Sequence, residues 1–216
     1  MKQRTNYKIL KKNKISKNWI KKHKKDQFVK KSKSLGFRSR SAFKLIEMNQ
    51  KFNFIHKNTF LLDLGSSPGG WSQVAAKKIT NGKILSIDIK IMDKINKVHF
   101  LKGDFLDDKT YKKIFEYFNK KIDVVMSDMA VNTSGNKNLD SFRTGQLCLK
   151  SINLAEKILN KEGVLIFKVF MGSIFEEIYK RSKKTFKKVV IYKPKSSKKE
   201  SKEIYIFCKG VLKYDT

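Results

Sequence analysis

The chain is expected to fold as an α/β protein: a Rossmann-like, seven-stranded, mostly parallel sheet with an antiparallel last strand and helices on both faces. Three observations lead there. From Thr59 onward, strand-length apolar runs alternate with segments of helix length. A glycine-rich turn follows the first run, and the last two runs adjoin with no helix between them.

At 216 residues, 40% of them hydrophobic and 16 of them Phe, the chain has material for one core without disulfides or metals. Residues 1–33 read as a basic arm: the first 34 residues hold fourteen Lys and Arg against Asp26 alone, with Tyr7, Trp19, Ile20 and Phe28 scattered among them. Such a segment is too polar to build its own core and is expected to order only on a polyanion, its aromatics interleaved with the nucleic acid. Residues 34–212 form the folded domain. Ser41 is a plausible cap for a helix over residues 41–51, on which Lys44 rides. Strands are expected near 59–64, 83–88, 97–101, 122–127 and 163–170, then a hairpin from 187–193 and 203–208 joined by the polar, basic loop 195–202. Alternation of strand and helix implies βαβ units and hence the parallel part of the sheet.

Fifty Lys and Arg against 19 Asp and Glu leave a net charge of +31, a field that favours RNA or DNA. Only five of the fifty are Arg, so an AT-rich coding sequence is a competing account of the Lys excess; it explains the shortage of acids less well. Cys148 and Cys208 have no CxxC spacing, and His23, His56 and His99 fall in no ligand cluster, so neither disulfide nor metal is indicated. The longest apolar stretch is short and interrupted by Lys168, which argues against a membrane span, and the N-terminus lacks the apolar core of a secretory signal. A cytoplasmic monomer is expected. A mitochondrial transit peptide is the minor alternative for the basic N-terminus.

After the first strand comes Asp63-Leu-Gly-Ser-Ser-Pro-Gly-Gly-Trp71, a turn that lets a ligand approach the backbone at the carboxyl end of the sheet. Its glycine spacing lacks the dinucleotide fingerprint, and no phosphate-binding GxxxxGK[ST] follows. Nineteen residues after Gly69, Asp88 closes the second strand, where a carboxylate can accept both hydroxyls of a ribose. Asp104, after the third strand, is a candidate for an adenine amino group. Each alone is more economically a turn glycine or a capping acid; at successive strand ends they describe a nucleoside pocket. Asp128 ends the fourth strand, Lys168 lies inside the fifth and Glu203 begins the seventh. An ammonium among Phe and Val needs partners or a task, so Lys168 is either in a structural ion pair with Asp128 or a reacting group.

These residues resemble the FtsJ-type RNA ribose methyltransferases from about Trp19 to Gly210. Arg38-Ser-Arg-Ser-Ala-Phe-Lys-Leu45, Asp63-Leu-Gly, Pro68-Gly-Gly-Trp-Ser-Gln73, Gly103-Asp-Phe105, Ser127-Asp-Met-Ala130, Phe167-Lys-Val-Phe170 and Ser201-Lys-Glu-Ile-Tyr205 carry the likeness. The resemblance implies a class I S-adenosylmethionine-dependent methyltransferase with Lys44, Asp128, Lys168 and Glu203 as its catalytic set. It further implies an S-adenosylmethionine site lined by Gly69, Trp71, Asp88, Asp104 and Asp128. Arg38, Arg40 and Lys44 are the expected RNA contacts, and the substrate implied is a uridine ribose 2′-oxygen in the A loop of large-subunit ribosomal RNA. Val131 stands where the family has Pro, and Ser66-Ser67 where it has an Ala pair. Transfer of the methyl would be an in-line displacement in which positioning dominates, with Lys168 taking or guiding the hydroxyl proton. The alternatives are a tRNA ribose methyltransferase and a non-catalytic RNA-binding assembly factor. No Asn-Pro-Pro-aromatic segment follows the fourth strand, which disfavours a base or protein methyltransferase.

Overall fold

Side chains on a strand alternate between faces, so a strand covered by helices on both sides must be apolar at every position. The first strand does this at all but one position: β1 (Phe60–Leu64) is Phe-Leu-Leu-Asp-Leu, its buried Asp63 hydrogen-bonded by Ser72, and Leu61 and Leu62 are both fully buried, one in the core on each face. The computed structural model describes residues 26–131, 134–198 and 200–213. In chain order they run α1 (Gln27–Ser34), α2 (Ser41–Phe52), β1, α3 (Gly70–Lys78), β2 (Lys83–Asp88), β3 (Val98–Lys102), α4 (Asp108–Phe118) and β4 (Ile122–Ser127). There follow α5 (Lys137–Ile158), β5 (Leu159–Phe170), α6 (Phe175–Thr185), β6 (Phe186–Tyr192) and β7 (Glu203–Val211).

The seven strands lie in the order β3-β2-β1-β4-β5-β7-β6. Pairings from β3 to β5 are parallel, while β7 is antiparallel to both β5 and β6. One face packs Leu62, Leu85, Val125, Leu165 and Phe167 against Ile114 of α4, Ile152 and Ala155 of α5 and Ile178 of α6. The other packs Leu61, Ile84, Val124, Ile166 and Phe207 against Leu45 and Met48 of α2 and Val74 and Ala75 of α3. The strand order reverses between β1 and β4, and ligands of open α/β sheets bind beyond the carboxyl ends of the strands at such a switch.

Three sequence expectations change. β5 begins at Leu159 rather than 163, because Leu159 pairs with Ile122 before a register shift resumes the ladder at Val124 and Val164. Its extra residues include exposed Lys161 and Glu162, which an apolar-run criterion passes over. Ser41 is the first helical residue of α2 and not its cap: the cap position is Arg40, and no side chain caps that helix end. The basic arm is shorter than 1–33. Asp26 caps α1 through Phe28 N and Val29 N, Val29 is buried, and Phe28 packs on Phe43 of α2 at 5.5 Å between ring centroids. Residues 26–33 therefore belong to the packed body, and Phe28 is used inside it. Residues 1–25, with Tyr7, Trp19 and Ile20, lie outside the described residues.

Candidate active site

The turn after β1 is closed by its own backbone: Gly65 N and Ser66 N both donate to Ile87 O, and Gly69 N donates to Ser66 O. Gly65 has φ +71°, and a Cβ there would come within 2.2 Å of Met129 Cγ, so only glycine lets Met129 fold over the turn. Beside it opens a cavity of about 440 Å³, lined by Leu64, Gly65, Asp88, Asp104, Phe105, Asp128, Met129 and Leu147 among others. Its walls come from the carboxyl ends of β1, β2, β3 and β4. Asp88 accepts from Ser67 N (2.9 Å) and Lys90 N (2.8 Å), and Asp104 from Leu106 N (3.0 Å). These bonds fix the two carboxylates and leave acceptor capacity on both, since an ionised carboxylate offers about four lone-pair sites.

Gly69 and Trp71 do not line this cavity. Trp71 is buried on the other side of the turn, where its Nε1 donates to Ser41 O at 2.9 Å and its ring lies 5.8 Å from that of Tyr205. Gly69 has φ +107°, and a Cβ there would meet Ile95, Arg38 and Met92 at 2.7–3.0 Å. Both residues therefore weld the turn to its neighbours. Arg38 does the same from outside: its guanidinium donates to Pro68 O (3.3 Å), Asp93 O (2.7 Å) and Lys94 O (2.9 Å). Arg40 pairs with Asp26 and donates to Ser196 O. Both guanidiniums are thus engaged within the protein, Arg38 on carbonyls of the cofactor turn and of the segment after β2, Arg40 on α1 and the β6–β7 loop.

The four polar residues expected to act together do converge. Lys168 Nζ donates to Asp128 O (2.8 Å) and lies 3.1 Å from Asp128 Oδ1; Lys44 Nζ is 2.6 Å from Glu203 Oε1. Lys44 and Lys168 are each less than a tenth exposed. Antiparallel pairing of β5 with β7 sets Lys168 opposite Tyr205, and strand alternation puts Glu203 and Tyr205 on one face. Tyr205, which the sequence reading did not single out, donates through its Oη to Asp128 Oδ1 at 2.9 Å. Its spacing of two from Glu203 on a strand is the signal that would have found it. Lys44 Nζ stands 5.6 Å over the Tyr205 ring and links the two ion pairs.

The electrostatics follow from this packing. Burial pushes the Asp128 carboxyl up, but Lys168, Lys44 and the Tyr205 hydroxyl outweigh it and hold Asp128 below the usual carboxylate range. Burial, reinforced by Asp128 and Glu203, pushes the Tyr205 phenol well above its ordinary value, so it stays a proton donor. Both Lys168 and Asp128 are thereby paired and hydrogen-bonded, as buried charges must be. Val131 lines the cavity, and its N–H, which a Pro would lack, donates to Thr144 Oγ1 of α5 at 3.4 Å. Among the described residues no group of three or more His, Cys, Asp and Glu is placed to hold a metal ion, and no helix is long and apolar enough to cross a membrane.

A mixed seven-stranded sheet with its last strands antiparallel, and a carboxylate-rimmed cavity where its order reverses, define a class I S-adenosylmethionine-dependent methyltransferase. The cavity fits that cofactor: acceptors stand at the ends of β2 and β3, and apolar Ile89, Phe105 and Leu147 flank them. The chain belongs to the FtsJ-like methyltransferase family, whose model it matches over residues 37–211. It is 48% identical over 200 residues to the ribosomal RNA large subunit methyltransferase E of Pelagibacter ubique, covering 93% of this chain and 98% of that one. The enzyme of the same name from Francisella philomiragia is 42% identical over 197 residues, covering 90% and 96%. A crystal structure of a Plasmodium falciparum protein assigned as a ribosomal RNA methyltransferase superposes with a TM-score of 0.74 at 37% identity, over 82% of this chain and 100% of that one. Human methyltransferase-like protein 13, at 15% identity and a TM-score of 0.55, shares the fold.

Proposed function

We propose that this protein transfers a methyl group to the 2′-oxygen of a uridine ribose in the A loop of large-subunit ribosomal RNA. The observation that carries the reading is the convergence of Lys168, Asp128, Tyr205, Lys44 and Glu203 at strand ends beside the cavity, through Asp128, which belongs to both. The relatives named as large-subunit ribosomal RNA methyltransferases support the choice of RNA.

S-adenosylmethionine, when bound, supplies an already activated methyl group. Asp88 and Asp104 hold the nucleoside by its hydroxyls and base. Lys168 faces the acceptor hydroxyl and orients it; as the oxygen attacks the methyl, the neutral amine form of Lys168 takes the hydroxyl proton and becomes the ammonium that Asp128 stabilises. Asp128 and Tyr205 fix the Lys168 ammonium through the bonds at 3.1 Å and 2.9 Å that meet on Asp128 Oδ1. Lys44, held by Glu203, is the second cation for the RNA side. Because the donor is activated, alignment supplies much of the acceleration, and a rigid, fully paired set of side chains suits that task. An assembly factor that only binds RNA has no use for an ammonium buried in a strand.

Incubation with large ribosomal subunits lacking the modification, followed by 2′-O-methyl mapping of ribosomal RNA and tRNA, tests the proposal. One methylated uridine in the A loop is expected. Label confined to tRNA, or no label anywhere, would overturn it.

A further inference from the structure

One face of α2 grips the loop between β6 and β7 at a single residue. Glu47 Oε2 accepts from Lys195 N at 2.6 Å and its Oε1 from Ser196 N at 3.0 Å, while Arg40 donates to Ser196 O. Ser196 is thus held by its N–H and its C=O at once. It is fully buried, and neither its hydroxyl nor that of Ser197 has a partner, so what seats this turn is the backbone clamp. Arg40, Lys44 and Glu47 are spaced by four and three residues, one side of a helix, so the residue that meets Glu203 lies between the two that hold Ser196. Arg40 also pairs with Asp26, the cap of α1, and so joins α1, α2 and the loop at one point.

The clamp joins two elements that carry exposed cations. Lys195, Lys198 and Lys202 are exposed on the loop, and Lys30, Lys31 and Lys33 are exposed on α1. An unpinned loop with this charge would spread by self-repulsion, and ordering it on a ligand would cost affinity. Two bonds to an ionised carboxylate are strong enough to prevent that.

We propose that Glu47 and Arg40 are positioning residues that act through Ser196 to pre-organise the β6–β7 loop and α1 as one phosphate-binding rim for the RNA substrate. This rests on the ribosomal RNA reading above, and it gives Arg40 an indirect part in recognition instead of a direct contact.

The test is Glu47→Gln in the full chain. Glutamine matches glutamate in size but is neutral and puts an NH2 donor where one of the two accepting oxygens stands, so the charge-assisted grip on both N–H groups is lost. KM for large ribosomal subunits lacking the modification should rise about tenfold, with kcat within about threefold of wild type. S-adenosylmethionine affinity by calorimetry should hardly move, and Tm should fall by a few degrees as the loop loses its grip. In a Lys195→Gln, Lys198→Gln, Lys202→Gln background, adding Glu47→Gln should raise KM less than twofold, because Glu47 acts on the loop and the loop cations next to its grip are already gone. An unchanged KM in the single variant, or a full tenfold rise in the triple-Gln background, overturns the proposal. Wild-type transfer to the subunits judges the parent reading by itself. Should wild type label only tRNA, the same KM ratios are taken on tRNA and the clamp is judged independently.

Discussion

Lys168 is the residue on which the proposed chemistry turns. Its ammonium touches the main-chain oxygen and the carboxylate of Asp128, while Asp128 keeps the Tyr205 hydroxyl as a second partner when the ammonium is removed. Lys168→Ala should therefore lower methyl transfer by far more than tenfold with S-adenosylmethionine affinity nearly intact. Retention of more than about a tenth of the rate, a loss under about 1.4 kcal/mol, would deny it the reacting role. Asp88 should behave in the opposite way. Asp88→Ala removes acceptors of charge-assisted bonds worth roughly 1.5–3 kcal/mol, so cofactor affinity falls and saturating cofactor restores much of the rate. A calorimetric titration that finds the affinity unchanged would move the ribose contact elsewhere. Asp63 has a different signature. It is fully buried, accepts from Ser72 Oγ at 2.6 Å, and burial pushes its carboxyl up to about 8. A folded value raised above the unfolded value of about 3.9 means that stability is greatest at low pH and is lost as pH rises between the two, by about 6 kcal/mol at most. Asp63→Asn cannot ionise, so its Tm relative to wild type should climb steadily from pH 5 to pH 8. A constant difference across that range would show that Asp63 is ionised in the fold.

Among the elements, α1 behaves least as its composition suggests. Gln-Phe-Val-Lys-Lys-Ser-Lys-Ser is mostly polar, yet Val29 and Ser32 are buried, Phe28 packs at a tilt on Phe43, and Arg40 stands 5.5 Å over the Phe28 ring. Phe28→Ala should destabilise the protein by about 1–3 kcal/mol, a moderate loss because the ring is only half-buried. It should also weaken RNA binding by loosening Arg40, without affecting the cofactor. Denaturant unfolding alongside RNA titration checks both, and a variant as stable as wild type would mean that α1 is not docked in solution. The same reasoning separates α2 from α3. Gly70 exists for their approach, since a Cβ there would come within 2.1 Å of Ser39 Oγ, and Trp71 Nε1 closes the contact on Ser41 O. The Gly69-Gly70-Trp71 signature thus braces the turn against α2 and the segment before it.

For the whole molecule, charge is the dominant fact. Eleven Lys and Arg and no acid lie in residues 1–25, ahead of every residue that shapes the cavity. Deleting 1–25 should flatten the dependence of log K for RNA on log salt, by about 0.7–0.9 for each phosphate no longer neutralised, and leave S-adenosylmethionine binding unchanged. Cutting at 33 instead should also remove α1 and its packing on α2 and lower Tm. Equal salt slopes for the full chain and the 26–216 form would assign the arm's charge to codon usage. Most of the architecture was legible in the sequence, because a strand buried on both faces must be a short continuous apolar run and because turns at strand ends need Gly and Asp for local backbone reasons. Those constraints act over a few residues, so the seven strands and the positions of Lys44, Asp88, Asp104, Asp128, Lys168 and Glu203 could be read one after another. What only the tertiary structure decided is which groups are already engaged. Arg38 and Arg40 look like free RNA contacts in a basic segment, but their partners are carbonyls at residues 68, 93, 94 and 196, far away in the chain. That Trp71 and Gly69 also brace the turn, and that Tyr205 and Glu47 take part, becomes visible through contacts with Ser41 and Arg38, register against β5 and distance from Ser196. Hydrogen-bond satisfaction is a property of three-dimensional neighbours, and a periodicity read along one strand or helix carries no information about it.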